Sequence, residues 1–403
     1  MLGQYTDKVN ILSCYTPRMD IDLPYHRPCI DDDEINEVVE TLKSGWLTTG
    51  SRTFQFEEDF KKYIGSRHAI GLNSCTAGLH LAAATQEFAP GDEVITTTMT
   101  FPATASAMIH ARLRPVLVDV EPGTLNMDVS KVEEKISPRT RAIVPVHFAG
   151  HPCDMDSIMD LARKHKLVVI EDAAHALETR YKGRKIGNMG NPTAFSFYAN
   201  KNITTGEGGM LTLDDDSMAD ETRVLRLHGI SRDAWKRFGK SGFVNWEFHF
   251  PGFKYNMADI NAALGIHQLK KAERFLQLRK QYALLYDQAF SQVPELEILE
   301  TREYAEPSFH LYIISLRLEQ LTVTRDEFIN AIQSTGIGVA VHYRALHLQP
   351  FFQKEFGTRQ EDFPVATRYS ESVISLPLYP RMSVKQIERV IGVVTELVTH
   401  FRR

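Results

Sequence analysis

The chain has 403 residues, 43% apolar and 24% charged, with a formal net charge of −5. This length exceeds one ordinary core, so two domains, or one large domain with an appendage, are expected. The composition suits a soluble globular protein, and the acidic balance argues against a general nucleic-acid binder. Cys14, Cys29, Cys75 and Cys153 form no CxxC pair and no framework spacing, which fits reduced thiols in a cytoplasm. The first residues lack a basic region followed by an apolar core, and no run approaches the roughly 18 apolar residues of a membrane helix. A cytoplasmic protein without a membrane partner is expected.

Residues 1–30, punctuated by Pro17, Pro24 and Pro28, read as an arm lying on the surface. Asp31-Asp-Asp-Glu34 supplies an acidic start for a helix over 35–42. The loop Ser44-Gly-Trp-Leu-Thr-Thr-Gly50 leads to a second helix, in which Phe54, Phe56, Phe60 and Tyr63 recur at helical spacing. Strands and helices then alternate. Strands are expected at 68–72, 93–97, 115–119, 142–146, 167–170, 193–197 and 210–213. Their near-continuous Val/Ile/Leu content indicates burial on both faces, hence a seven-stranded, mostly parallel sheet covered by helices. The last two strands have no room for a crossover between them and should be antiparallel. A long helix is expected over 257–290. After it come strands at 311–316, 339–343 and 373–376, and helices at 325–334 and 384–400, making a small α/β domain. The division is an arm (1–30), a large cofactor-binding domain (31–265) and a small C-terminal domain (266–403).

In such a sheet, ligands collect beyond the carboxyl ends of the strands. Ser74, Cys75 and Thr76 follow the first strand and open a helix, whose free N–H groups suit a phosphate; a plain N-cap explains the same residues equally well. Phe101 follows the second strand. Asp172 ends the fifth, where burial is costly unless a cation meets it, and His175 lies three residues on. Ser196 ends the sixth. Beyond it, in Ala199-Asn-Lys201-Asn-Ile-Thr-Thr-Gly206-Glu-Gly-Gly209, stands Lys201. Taken alone this stretch fits a surface hairpin lysine as well as a desolvated, nucleophilic amine. The set decides: a phosphate cradle, an aromatic, a carboxylate and a lysine on one sheet fit pyridoxal phosphate, with Lys201 forming a Schiff base, Asp172 holding the pyridine nitrogen protonated and Phe101 stacking on the ring. His147-x3-His151-x-Cys153-Asp154 has metal-like residue types but no second ligand cluster at zinc spacing, so no metal is assigned. No GxGxxG opens a helix, which removes a dinucleotide site.

These landmarks, with Gly252-Phe-Lys-Tyr-Asn-Met257 and Val341-His-Tyr343, resemble those of the DegT-type nucleotide-sugar aminotransferases, pyridoxal-phosphate enzymes of fold type I. The resemblance runs from about Leu23 to Arg403. Leu227-His-Gly229 and Asp233-Ala-Trp235 make it greatest toward enzymes that aminate C4 of a nucleotide-linked 4-keto sugar; amination at C3 or of a cyclitol uses the same apparatus, and a non-catalytic regulator would keep the same cofactor groups. The resemblance implies L-glutamate as donor, 2-oxoglutarate as its product and pyridoxamine phosphate as the intermediate cofactor state. It implies Lys201 as the catalytic residue, with Asp172, His175, Ser196, Ser74, Cys75, Thr76 and Phe101 around the cofactor. Family members are dimers with shared sites, so Asn256 and Lys254 are expected to reach a neighbour's cofactor phosphate. Thr48, Thr49, His342 and Tyr343 are expected near the substrate. The densest basic stretch carries Arg232, Lys236 and Arg237, which suits the substrate's diphosphate and a solvated surface loop equally well.

Overall fold

The computed structural model describes residues 21–230 and 247–403. The expected basic loop with Arg232, Lys236 and Arg237 lies outside the described residues, as does most of the N-terminal arm.

Seven strands build the main sheet: β1 (His68–Leu72), β2 (Glu93–Thr97), β3 (Arg114–Val118), β4 (Thr140–Val144), β5 (Val168–Val169 and Glu171–Asp172), β6 (Thr193–Ser196) and β7 (Gly209–Leu213). The two pieces of β5 act as one strand. The first pairs with β4 and the second with β6, while Ile170 N–H donates to Ile143 O and Asp172 N–H to Pro145 O. The spatial order is therefore β1-β7-β6-β5-β4-β2-β3. Only β7 is reversed: it runs antiparallel to both β1 and β6, as the short connection around Lys201 requires. β2 and β7 are buried along their whole length, which accounts for their unbroken apolar and threonine content.

Helices cover both faces. α1 (Asp32–Ser44) starts in a capping box between Asp31 and Glu34 and stops at Gly45, in the left-handed region. α2 (Ser51–Ile64) has no cap of its own at Gly50. Instead the buried Asp259 carboxylate accepts from Gly50 N–H (2.7 Å) and Thr53 N–H (2.9 Å), tying this helix to a residue some 200 positions away. α3 (Cys75–Ala84), α4 (Pro102–His110), α5 (Met155–His165) and α6 (Asp216–Leu225) each follow a strand of the sheet. α7 (Asp259–Phe290) begins two residues later than its sequence pattern suggests. Its first half, through Phe275, packs with Phe56, Phe60 and Phe197; its second half, from Tyr282, packs with Ile314, Phe328, Ile374 and Val390. One helix thus serves two cores.

The second core lies around an antiparallel sheet in the order β8 (Leu296–Ile298), β9 (Tyr312–Leu316), β10 (Val373–Leu376). It is closed by α8 (Arg325–Ser334) and α11 (Val384–Phe401), while α9 (Pro350–Phe356) and α10 (Pro364–Ser372) lie between. Two expectations are corrected here. The strand expected at 339–343 reduces to one bridge, Ala340 with Ser375, because the chain leaves the sheet to carry His342 and Tyr343 into a pocket. The end of the arm does not lie wholly on the surface: Leu23 is fully buried in the second core and bridges Ile337, while Asp22, Arg27 and Pro28 are exposed. Among the described residues, no helix is long and apolar enough to cross a membrane.

Candidate active site

A pocket of about 540 Å³ opens at the carboxyl ends of β1, β2, β5 and β6. It brings together ten of the residues picked out by sequence: Ser74, Cys75, Thr76, Phe101, Asp172, His175, Ser196, Lys201, His342 and Tyr343. They are contributed by several separate segments of chain, and each arrives for an identifiable local reason.

α3 delivers the first three. Ser74 is the N-cap: its hydroxyl accepts from Ala77 N–H (3.1 Å) and donates to Asn73 Oδ1 (3.3 Å), so its proton is already engaged. The first-turn N–H groups of Cys75 and Thr76 have no intrahelical acceptor. The start of β7 passes directly behind this turn. A Cβ on Gly209 would lie 2.5 Å from Cys75 N and 2.4 Å from Ser74 C, so only glycine permits the approach. Cys75 Sγ faces Ala194 O at 3.4 Å, and burial pushes its thiol well up. Phe101 precedes Pro102, the first residue of α4, and stands 59% exposed at the pocket mouth, 6.1 Å between ring centres from Tyr343.

Asp172, buried at the end of β5, accepts from Thr104 Oγ1 (2.7 Å) and from Ala174 N–H (3.1 Å). Desolvation nevertheless drives its carboxyl upward, against those two bonds and the Lys201 charge. Lys201 sits in the turn after β6, where its N–H donates to Tyr198 O. Burial lowers its amine to about 8, and Cys75 and Asp172 only partly offset that effect. The two groups that burial shifts toward neutrality, an acid and an amine, therefore share one wall.

The opposite wall is imidazole and phenol. His175 Nε2 meets Tyr343 Oη at 3.1 Å, while its Nδ1 is buried with no partner among the described residues. His342 Nδ1 meets Ser375 Oγ at 2.8 Å, and burial lowers this imidazole to about 3. Burial also holds His175 well below the usual histidine range and Tyr343 well above the usual phenol range.

Four other sequence-picked residues are placed elsewhere. Thr48, Lys254 and Asn256 line a separate open pocket of about 440 Å³ with Leu47, Asn73 and Ala258. Lys254 Nζ donates to Asn256 Oδ1 (2.7 Å), and Asn256 Nδ2 donates to Thr49 Oγ1 (2.7 Å). Thr49 is fully buried and its hydroxyl donates to Met257 O, so it holds Asn256 in place and faces neither pocket. The metal-like residues are engaged otherwise: His147 lies between Glu171 Oε2 (3.0 Å) and Cys153 N–H (3.1 Å), and His151 faces Pro152 O. Among the described residues, no grouping of three or more His, Cys, Asp or Glu could hold a metal ion.

The pocket also contains residues that sequence reasoning missed, including Thr100, Tyr198, Asn200 and Glu207. Behind it lie Thr104 and His310. Thr104 had a signal: it stands four residues after Thr100 on a helix start, and the two hydroxyls meet at 2.8 Å. His310 had none, because it comes from the segment leading into β9.

Comparison with known proteins follows the same lines. The DegT/DnrJ/EryC1/StrS aminotransferase family pattern matches residues 28–395. The chain belongs to this family. Among its relatives, a Methanocaldococcus jannaschii protein of no assigned function is 49% identical over 94% of this chain and 98% of its own. The spore coat polysaccharide biosynthesis protein SpsC of Bacillus subtilis is 47% identical over 93% and 97%. Among solved structures, a sugar aminotransferase of Streptococcus pneumoniae in its pyridoxamine-phosphate form has a TM-score of 0.89 at 34% identity, covering 94% of this chain and all of that one. The Helicobacter pylori aminotransferase PseC, involved in pseudoaminic acid biosynthesis, has a TM-score of 0.88 at 31% identity over 94% and 100%. This member of the family is thus an aminotransferase of fold type I.

Proposed function

We propose that this sugar aminotransferase moves the amino group of L-glutamate onto C4 of a nucleotide-linked 4-keto sugar, releasing 2-oxoglutarate. The observation that carries the amino-transfer part of the reading is the pairing of a desolvated amine, Lys201 at about 8, with a desolvated carboxyl, Asp172, in one pocket beside the first turn of α3. The 4-keto nucleotide sugar rests on the resemblance carried by Leu227-His-Gly229 and Gly252-Phe-Lys-Tyr-Asn256.

The cofactor is pyridoxal phosphate, alternating with pyridoxamine phosphate. The residues present fit it: Asp172 is a buried acid in need of a cation, and the α3 turn offers free N–H donors to an anion, its backbone backed closely by Gly209, where a Cβ would collide with it. When bound, the group supplies an electron sink that makes a donor Cα–H bond acidic. Asp172, held by Thr104 and Ala174 N–H, would keep the ring nitrogen protonated. The N–H groups of Cys75 and Thr76 and the Ser196 hydroxyl hold the phosphate, with Ser74 shaping that turn. Phe101 would stack on the ring and His175 would hydrogen-bond the ring hydroxyl. Lys201 would hold the cofactor through its amine, and that amine, lowered to about 8, is suited to take the donor Cα proton when free.

Two copies of the chain complete the sites. Asn256 and Lys254, on the second pocket, reach the neighbour's cofactor phosphate, which accounts for their separation from Lys201 within one chain. His342 and Tyr343 face the sugar.

The test is mass-spectrometric: 4-keto and 3-keto sugar nucleotides are incubated with the enzyme and L-glutamate. An amino-sugar nucleotide formed from the 4-keto substrate supports the reading. Product from 3-keto substrates alone moves the reaction to C3, and no product from either class removes the reading.

A further inference from the structure

Beneath the pocket runs a buried hydrogen-bonded chain that the reaction described above does not use. Arg279 lies on α7 between the two cores, and Arg279 and Glu178 are each 2% exposed. Arg279 donates to Glu178 Oε1 (2.7 Å) and, through Nε, to Ser308 O (2.9 Å). Asn202, the residue after Lys201, donates from Nδ2 to Glu178 Oε2 (2.5 Å). Its Oδ1 faces His310 Nδ1 at 2.8 Å. The His310 ring stands 4.3 Å from that of His175, whose backbone carbonyl accepts from Ser308 Oγ (2.7 Å).

The direction of this chain is forced. A carboxylate facing a guanidinium can only accept, so the Asn202 amide must turn its NH2 toward Glu178. Asn202 Oδ1 then needs a donor, and His310 must carry its proton on Nδ1. Burial holds His310 well below the usual histidine range, so the ring is neutral and this single tautomer persists. One buried ion pair thus determines both the orientation of the residue next to Lys201 and the ring packed beneath His175. A buried pair is a poor source of stability but a good source of fixed geometry.

We propose that Glu178, fixed by Arg279, is a positioning residue for transamination: acting through Asn202, it holds Lys201 where its amine can move the donor proton. The inference rests on Lys201 being the base.

Glu178→Gln tests it. The substitution keeps size and a hydrogen bond to Arg279, yet presents an NH2 to Asn202. Asn202 must then reverse its amide, and His310 must move its proton to Nε2. The holoenzyme is mixed with excess L-glutamate, and the single-turnover rate constant is followed through the cofactor absorbance, a quantity independent of the fraction of folded sample. We expect the rate constant at saturating glutamate to fall tenfold or more, with half-saturation within twofold of the parent. A rate constant within twofold of the parent overturns the proposal, as does a loss that appears entirely in glutamate binding. Should Glu178→Gln fail to fold, Asn202→Ser, which leaves the Glu178–Arg279 pair intact, is held to the same criteria. A normal rate in either variant, with no turnover in Lys201→Ala, would remove this inference and leave the function standing.

Discussion

The Thr104 hydroxyl donates to Asp172 Oδ2 across 2.7 Å inside the protein, joining the first turn of α4 to the end of β5. It is one of two protein donors that oppose the upward shift of that carboxyl, the other being Ala174 N–H. Thr104→Val keeps the volume and removes the donor. We expect a loss of about 1–2 kcal/mol of folding stability and roughly tenfold weaker cofactor retention. Urea unfolding and a dialysis-based absorbance titration measure the two effects.

Ser74 gives the opposite pattern. Its hydroxyl caps α3, so Ser74→Ala is expected to cost about 1 kcal/mol of stability, and Ser74→Gly only a few tenths. Cofactor affinity should stay within about threefold, because backbone N–H groups form the anion site. A cofactor loss far larger than the stability loss would make Ser74 a direct phosphate ligand.

Much of the sheet was legible because strands buried on both faces carry apolar runs, as in Val116-Leu-Val118, Ala142-Ile-Val144 and Leu167-Val-Val-Ile170, while β1, β2, β6 and β7 were marked more by their place between helical patterns. β8, with only Leu296, Glu297 and Ile298, is too short to carry a pattern, and Val339–Tyr343 has a strand's composition but serves the pocket. Residues at strand ends were legible for the same reason: topology places them together. Thr104 could be read only through its spacing from Thr100, and Glu178, Asn202 and His310 not at all. Their partners lie 68, 101, 24 and 108 positions away, beyond any local spacing.

The depressed Lys201 amine makes a pH prediction for the cofactor-free protein. An unfolded lysine titrates near about 10.4, whereas here it titrates at about 8. Between those values the unfolded chain holds the extra proton, so stability must rise with pH. The contribution is present above the unfolded value and is lost as pH falls through about 8. Lys201→Met should therefore show a flatter rise in urea midpoint between pH 8 and pH 10 than the parent, both measured without cofactor; equal slopes would mean the amine is not desolvated.

The proposed sharing of sites between two copies of the chain makes a prediction of its own. Lys201→Ala and Asn256→Ala homodimers should each be nearly inactive. Unfolded together and refolded as a mixture, they should regain about a quarter of parental activity, because half the dimers then carry one intact site. No recovery would place Asn256 in the same site as its own Lys201, and an active Asn256→Ala homodimer would place it outside both.

The central claim is that Lys201 is the amine to which the cofactor is joined. Borohydride fixes the cofactor onto that amine, and digestion followed by mass spectrometry finds it. The account predicts the pyridoxyl mass on the peptide containing Lys201 and nowhere else; the mass on Lys254 or another lysine, or no labelled peptide from a coloured holoenzyme, would contradict it.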